Sequence, residues 1–450
     1  MSKRSHAARL AVLLSAAGWA APAAAAAQAP DDSVPVVSLA EARRHAEEVD
    51  PAAVAARLQV ETAARERRTA FTDLVTPRVN AATSYTRLSD PFFNFGTGEV
   101  SATSASATLQ ASYVLLGAGK FAELGRSRAA QQSAVASETA TRFRTALATD
   151  AAYYAVLADR ELARLAAERL RRAQEGFGLA RVRVQAGEAI APDSLQLLLE
   201  VNRARLGVLR SDSAVAVSRL RLGRQIGLSG PAEAAPVDSS APPPLPLSQE
   251  AAVADLLAQG PEVQAARAAE RRAQAVVGVR REGYLPYVTL DLLAAAYDVS
   301  FFPDALKRAS LALTVNLPIW DGGQRELGVA RARADRDVAR AEREERERAA
   351  AQVMAEAYHG YGTAAAGMGL ARVGVAVATE NYRVQRARYR EGATTILELL
   401  EAQGALTEAE TQLVQARHAT RLALARIEAL LGRRLFAAAG TDSTTAETNP

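Results

Sequence analysis

Apolar residues along most of this chain recur at helical spacing, but in four short windows they fall on every second position. The clearest window is "SLALTVNLPIW", where Leu311, Leu313, Val315, Leu317 and Ile319 share one face and Ser310, Thr314 and Asn316 the other. "SASATLQASYVL" sets Ala105, Ala107, Leu109, Ala111 and Tyr113 against Ser106, Thr108, Gln110 and Ser112 in the same way. "RVNAATSYT" and "YVTLDLLAAAYDV" are weaker versions. Period two predicts strands, here at about 77–87, 104–115, 286–299 and 309–319. Aromatic-rich loops, Asp90 to Glu99 and Phe301 to Arg308, are expected inside each pair. Strands of roughly 10 residues with one apolar face suit a transmembrane β-barrel; the alternative is a small two-hairpin sheet capping a soluble domain. Four strands cannot close a barrel, since about eight are needed, and open edges are not tolerated in hydrocarbon. Further copies of the chain must then supply the missing strands.

Elsewhere the pattern is helical. Gly119 to Ala186 and Gly323 to Glu391 predict two helices of about 68 residues, on the order of 100 Å long. Four shorter helices are expected at Ser38–Thr76, Pro192–Leu228, Ser248–Gly283 and Thr394–Leu431. Two short helices end to end match one long one, so the helices would build a cylinder of even thickness. Leu399, Leu406, Leu413 and Ile427 share a heptad phase interrupted by Thr420, and the first half keeps that phase in Val201, Val208, Val215 and Leu222. Sustained heptads imply coiled-coil packing. Gly360, Gly362, Gly367 and Gly369 mark a place where the second long helix is expected to distort.

The pattern also repeats. "ARVRVQAGEAIAPDSLQLLLE" and "ARYREGATTILELLEAQ" each break a helix at a glycine and restart it after a few small residues. Gly187 precedes Gly392, Asp193 precedes Glu398 and Gly227 precedes Gly432, all by one constant interval. A first repeat over 38–228 and a second over 248–432 follow, joined by a Pro- and Ser-rich linker at 229–247. The tail 437–450 is expected to be disordered. Residues 1–27 place Lys3, Arg4 and Arg9 before a short apolar run and an A-x-A pattern, the form of a cleaved export signal.

Composition narrows the chemistry. With 54 basic and 50 acidic residues the net charge is only +4, and no basic block is interleaved with aromatics, so nucleic-acid binding is not expected. The absence of cysteine excludes disulfides, thiolate metal sites and a lipid-bearing N-terminal cysteine. His45, His359 and His418 stand alone and are read as surface or seam residues, so no metal or other cofactor is expected. No HExxH, GxSxG or P-loop pattern occurs, and no enzyme activity is expected.

Together the repeat, the strands and the helix lengths resemble the TolC-like outer-membrane efflux protein family over nearly all of the chain beyond its signal. The resemblance is carried by "YLPYVTL", "LALTVNLPIWDGGQRE" and "ARYREGATTILELLEAQGALTEAETQLVQAR". It implies an α+β membrane protein: a homotrimer whose 12-stranded β-barrel, four strands per protomer, lies among outer-membrane lipid and continues as a long periplasmic α-helical barrel. It further implies a passive exit duct for efflux or type I secretion, working with a periplasmic adaptor and an inner-membrane pump. A periplasmic coiled-coil scaffold with a small soluble sheet is the competing reading.

The two helix breaks then become periplasmic tips. Gly187, Glu188 and Ala189 in the first, and Gly392, Ala393 and Thr394 in the second, fall where the family meets its adaptor. Glu398 and Glu401 fall on an acidic ring lining the constriction, Tyr389 on a gate aromatic and Asp193 on a gate-linking acid. Being i,i+3, the two glutamates share a helix face, and charges about 6 Å apart repel by roughly 0.7 kcal/mol in water. Thr394 stands where the family places an arginine that bonds across tips, so a closed state must be held by other contacts.

Overall fold

The computed structural model describes residues 34–95, 98–117, 119–187, 189–237, 244–299 and 305–436. The expected signal at 1–27, the tail at 437–450 and Glu188 lie outside the described residues. In chain order the elements are β1 (Val36–Val37), α1 (Leu39–Val49), α2 (Pro51–Val75), β2 (Arg78–Asn94), β3 (Glu99–Leu116), α3 (Lys120–Gln185) and α4 (Ala191–Gln225). There follow β4 (Glu233–Ala234), α5 (Gln249–Gln259), α6 (Pro261–Glu282), β5 (Tyr287–Asp298), β6 (Leu306–Asn316), α7 (Gln324–Arg390) and α8 (Ile396–Leu431).

The long helices α3 and α7 have 66 and 67 residues. α7 is one unbroken helix through Gly360, Gly362, Gly367 and Gly369, so the expected distortion does not interrupt it. A Cβ built at any of these glycines meets nothing within 4 Å, so they face open space and no packed neighbour bends the backbone there. Two helices expected to be single are broken. Asp50 ends α1 and caps α2, its carboxylate accepting from the Ala52 and Ala53 amides ahead of Pro51. Gly260 and Pro261 divide α5 from α6 likewise.

The described parts of the linker, 229–237 and 244–247, are more ordered than its composition implies. Within it, β4 pairs in parallel with β1, Val36 opposite Glu233 and Val37 opposite Ala234. Ala232 and Ala234 are buried against Tyr153, Leu157 and Ile226, and the Tyr153 hydroxyl donates to the Ala235 carbonyl at 2.8 Å. Small side chains that read as loop-forming are here small because they pack flat on α3.

The four longer strands form one antiparallel sheet in the order β2-β3-β5-β6. β2 extends to Asn94 through much of the expected loop, with a register shift between Arg87 and Phe92 that takes in Pro91. β6 starts earlier than expected and stops at Asn316, because Pro318 has no amide to continue the ladder. Register aligns Ala111, Leu292 and Leu311 across β3, β5 and β6, then Tyr113, Leu290 and Leu313. The opposite face aligns Ser112, Asp291 and Ala312, then Ser106 beside Tyr297. Leu311, Leu313 and Val315 are 67%, 63% and 64% exposed, an apolar stripe with no cover from the chain itself.

Away from the sheet, helices lie side by side in the order α4-α3-α8-α7. Arg169 to Glu200 joins α3 to α4, and Arg172 to Glu410 joins α3 to α8 across the repeats. The heptad positions Val201, Val215, Leu222, Leu399, Leu406 and Ile427 are buried. Thr420 is buried too, its hydroxyl donating to the Ala416 carbonyl at 2.8 Å; this is how the heptad tolerates a polar residue.

Candidate functional site: the paired helix tips

Both tips turn at a glycine with positive φ, +75° at Gly187 and +73° at Gly392, a conformation that other residues adopt only with strain. The turns then differ. At the second, Thr395 caps α8, its hydroxyl accepting from the Glu398 amide. The Thr394 hydroxyl donates to the Glu398 carboxylate, and Arg388 Nη2 donates to the Ala393 carbonyl at 3.2 Å. At the first, Ile190 precedes α4 and makes no side-chain cap.

Tyr389, on the last turn of α7, is 1% exposed. It packs in a cluster with Ala180 of α3, Leu197 of α4, and Ile396 and Leu399 of α8. Arg183 of α3 reaches it twice: Nη1 donates to the Tyr389 carbonyl at 2.6 Å, and the guanidinium lies 5.0 Å from the ring centroid. Burial pushes the Tyr389 phenol up, with nearby Asp193 adding to the rise and Arg183 opposing it. Tyr389 Oη is buried with no hydrogen-bond partner.

Of the four expected gate residues, Tyr389 is buried between the hairpins, and Asp193, half-buried in the first turn of α4, is near enough for its charge to act on the phenol. Glu398 and Glu401 stand exposed on α8, one turn apart and turned away from the seam that buries Leu399 and Ala402. Gly187, Ala189, Gly392 and Ala393 lie at the turns, with Thr394 half-buried beside them. Arg183 was not among the expected residues. Its signal was present: the Arg-x-Arg pairs Arg181/Arg183 and Arg386/Arg388 occupy matching places in the two repeats.

A profile of the family described as outer membrane efflux protein matches residues 42–228 and 252–433, the two repeats in turn. The chain belongs to the outer membrane efflux protein family. It is similar to the toluene efflux pump outer membrane protein TtgF of Pseudomonas putida, 28% identical over 349 residues, 76% of this chain and 72% of that protein. Among solved structures it resembles the Campylobacter jejuni CmeC outer membrane channel, with a TM-score of 0.76 at 17% identity over 88% of this chain and 85% of that one. The outer membrane protein VceC of Vibrio cholerae gives 0.73 at 18% identity, covering 88% of this chain and 97% of that one. This efflux protein is therefore an outer-membrane exit duct with a periplasmic helical portion, as its sequence led one to expect.

Proposed function

We propose that three copies of this efflux protein close into one continuous tube, a 12-stranded barrel joined to a helical barrel, whose far end narrows at the paired tips. The carrying observation is that sheet and helix layer are both open at their two edges. β2 and β6 each have one unpaired side, and the apolar stripe of β6 is uncovered. In the helix layer α4 and α7 are the edges. Leu195, Leu199, Leu206 and Leu209 are exposed on α4, and Leu370, Val373, Val377 and Val384 on α7. One 18-residue window of α7 reaches a mean hydropathy of 1.2 with only 11% of it buried. This stretch is a helix edge that another α4 would cover.

In this assembly Glu398 and Glu401 from each copy face the bore, and six carboxylates near one axis favour cations and resist closure unless neutralised. Tyr389 and Asp193 hold the tip behind them. The turns at Gly187 to Ala189 and Gly392 to Thr394 present the ends that a periplasmic adaptor would engage, and an inner-membrane pump would supply the energy. The duct itself is passive.

Single-channel conductance of the detergent-purified protein in a planar bilayer tests this, paired with native mass spectrometry. Three copies per particle and cation-selective currents that lose selectivity in Glu398→Ala/Glu401→Ala are the expected result. Currents unchanged by the double variant would return the glutamates to a solvated face. A monomer that stays soluble without detergent and passes no current would favour the scaffold.

A further inference from the structure

The groove between α3 and α8 opens beside Pro236 and Val237 into a cavity of about 430 Å³, a size suited to a small ligand. Among the described residues its charge is one-sided. Arg160 and Arg164 enter from α3, Arg417 and Arg421 from α8, and the carboxylate among the lining residues is Glu161. That carboxylate is already committed, accepting from Arg417 Nη1 at 2.6 Å. Arg160 lies 3.3 Å from Glu233, which Arg219 also engages. Arg164 is exposed and has no ion-pair or hydrogen-bond partner among the described residues. Arg421 lies beside the Tyr154 phenol, which carries no compensating charge while it remains protonated.

A second observation points to a missing acceptor. His418 lines the same cavity with its side chain 13% exposed. Both its ring nitrogens are buried without a hydrogen-bond partner, as is Arg417 Nε. His418 Nε2 faces Glu161 at 3.7 Å, and His418 first, with Arg417 after it, holds the Glu161 carboxyl below the usual carboxylate range. Buried polar groups in folded proteins are nearly always partnered, and Arg417 Nε and the His418 ring give this basic cavity polar groups with no hydrogen-bond partner among the described residues.

We propose that this cavity binds a small dianionic oxyanion, of the phosphoryl or dicarboxylate class. Arg164, whose charge is shared only with Glu168 one turn on, and Arg421, which rests on the Tyr154 phenol, have no carboxylate in an ion pair among the described residues, and their planar guanidiniums match two-oxygen recognition. His418 donates from the floor, and Arg160 and Arg417 add field while holding their own acids. Glu161 stands about 40 Å along α3 from Gly187, so the site is separate from the tips and does not depend on how they open.

Isothermal titration calorimetry of the detergent-solubilised full-length protein tests this, with pyrophosphate and succinate as probes and sodium chloride at matched ionic strength as the blank. Saturable binding of at least one probe is expected, weakened at least tenfold by Arg164→Gln and by Arg421→Gln. Arg181→Gln, near the first tip, leaves it unchanged. Binding of pyrophosphate alone assigns the phosphoryl class, and of succinate alone the carboxylate class. No saturable heat from either probe, or equal affinity in wild type and Arg164→Gln, overturns the proposal. Arg164 makes no contact whose loss would unfold the chain; Arg164→Lys, which keeps the charge and loses the fork, gives a second reading and is expected to bind with intermediate affinity.

Discussion

At the first tip the return helix begins on an uncapped Ile190, and a Cβ added at Gly187 meets nothing within 4 Å. At the second, Thr395 caps α8, Thr394 and Arg388 brace the turn, and a Cβ added at Gly392 comes 3.1 Å from Arg183 Nη2. The two turns share one repeat and one glycine conformation, yet the chain spends its polar contacts on the second. Arg183 and Arg388 hold matching places, but Arg388 serves its own turn while Arg183 crosses to the other hairpin. The lesson is that a duplicated turn becomes a mechanical part when one copy's side chain is redirected onto its twin. The second tip is held at its base by the first.

The sharpest way to break this asymmetry is to remove the crossing arginine. A hydrogen bond from a charged donor contributes about 1.5–3 kcal/mol and a guanidinium on an aromatic face about 0.5–1 kcal/mol more. Arg183→Ala is expected to speed amide exchange at Gly392 to Glu398 by roughly 30- to 1,000-fold, and to raise single-channel conductance. Arg388→Ala, which loses a longer bond at an exposed turn, should cost under about 1 kcal/mol. Equal effects in the two variants, followed by hydrogen-exchange mass spectrometry, would mean that the tips are equivalent after all.

Arg183 also shows where the sequence stopped being legible. Period-two alternation in Leu311, Leu313 and Val315 located a strand and its uncovered face, because a sheet's side-chain period depends on the backbone alone. The glycines at 187 and 392 located the turns for a similar reason. Asp50–Pro51 and Gly260–Pro261 carry the cap and proline signals of a helix break, but the helical pattern on either side reads as one helix across each. Which partner a long side chain selects depends on the lateral placement of α3 against α7, which no local pattern carries. The same holds for β1 and β4, two-residue strands with no period to read, and for the basic cavity, whose arginines come from helices more than 250 residues apart in sequence.

The glycines offer the next contrast. A side chain at positive φ costs about 1–2 kcal/mol, so Gly187→Ala and Gly392→Ala should both lower the stability of their tips. Gly392→Ala is expected to cost more, because its Cβ also displaces Arg183. A smaller and reciprocal contrast lies in the caps: Thr395→Ala should cost about 1 kcal/mol, and Ile190→Ser should gain up to a similar amount by giving the first tip the cap it lacks. Thermal unfolding and local exchange at each return helix would rank the four. If Gly187→Ala proved the more damaging glycine variant, the placement of Arg183 above Gly392 would be wrong.

Tyr389→Phe should have the smallest effect, and it separates ring from hydroxyl. The ring and backbone carbonyl are what Arg183 engages, while Oη is buried without a partner. Removing an unsatisfied buried hydroxyl is close to neutral or slightly stabilising, within about 1 kcal/mol. The difference appears only at high pH. Because the folded phenol titrates above its unfolded value near 10, its contribution to stability is complete below that value and is lost as pH rises through the folded one. The wild-type tip should therefore loosen in alkali, and Tyr389→Phe should lack that component of the loss. A neutral-pH effect of Tyr389→Phe as large as that of Arg183→Ala would mean instead that the hydroxyl has a partner in the assembled tube, and that the tips are tied between copies as well as within one.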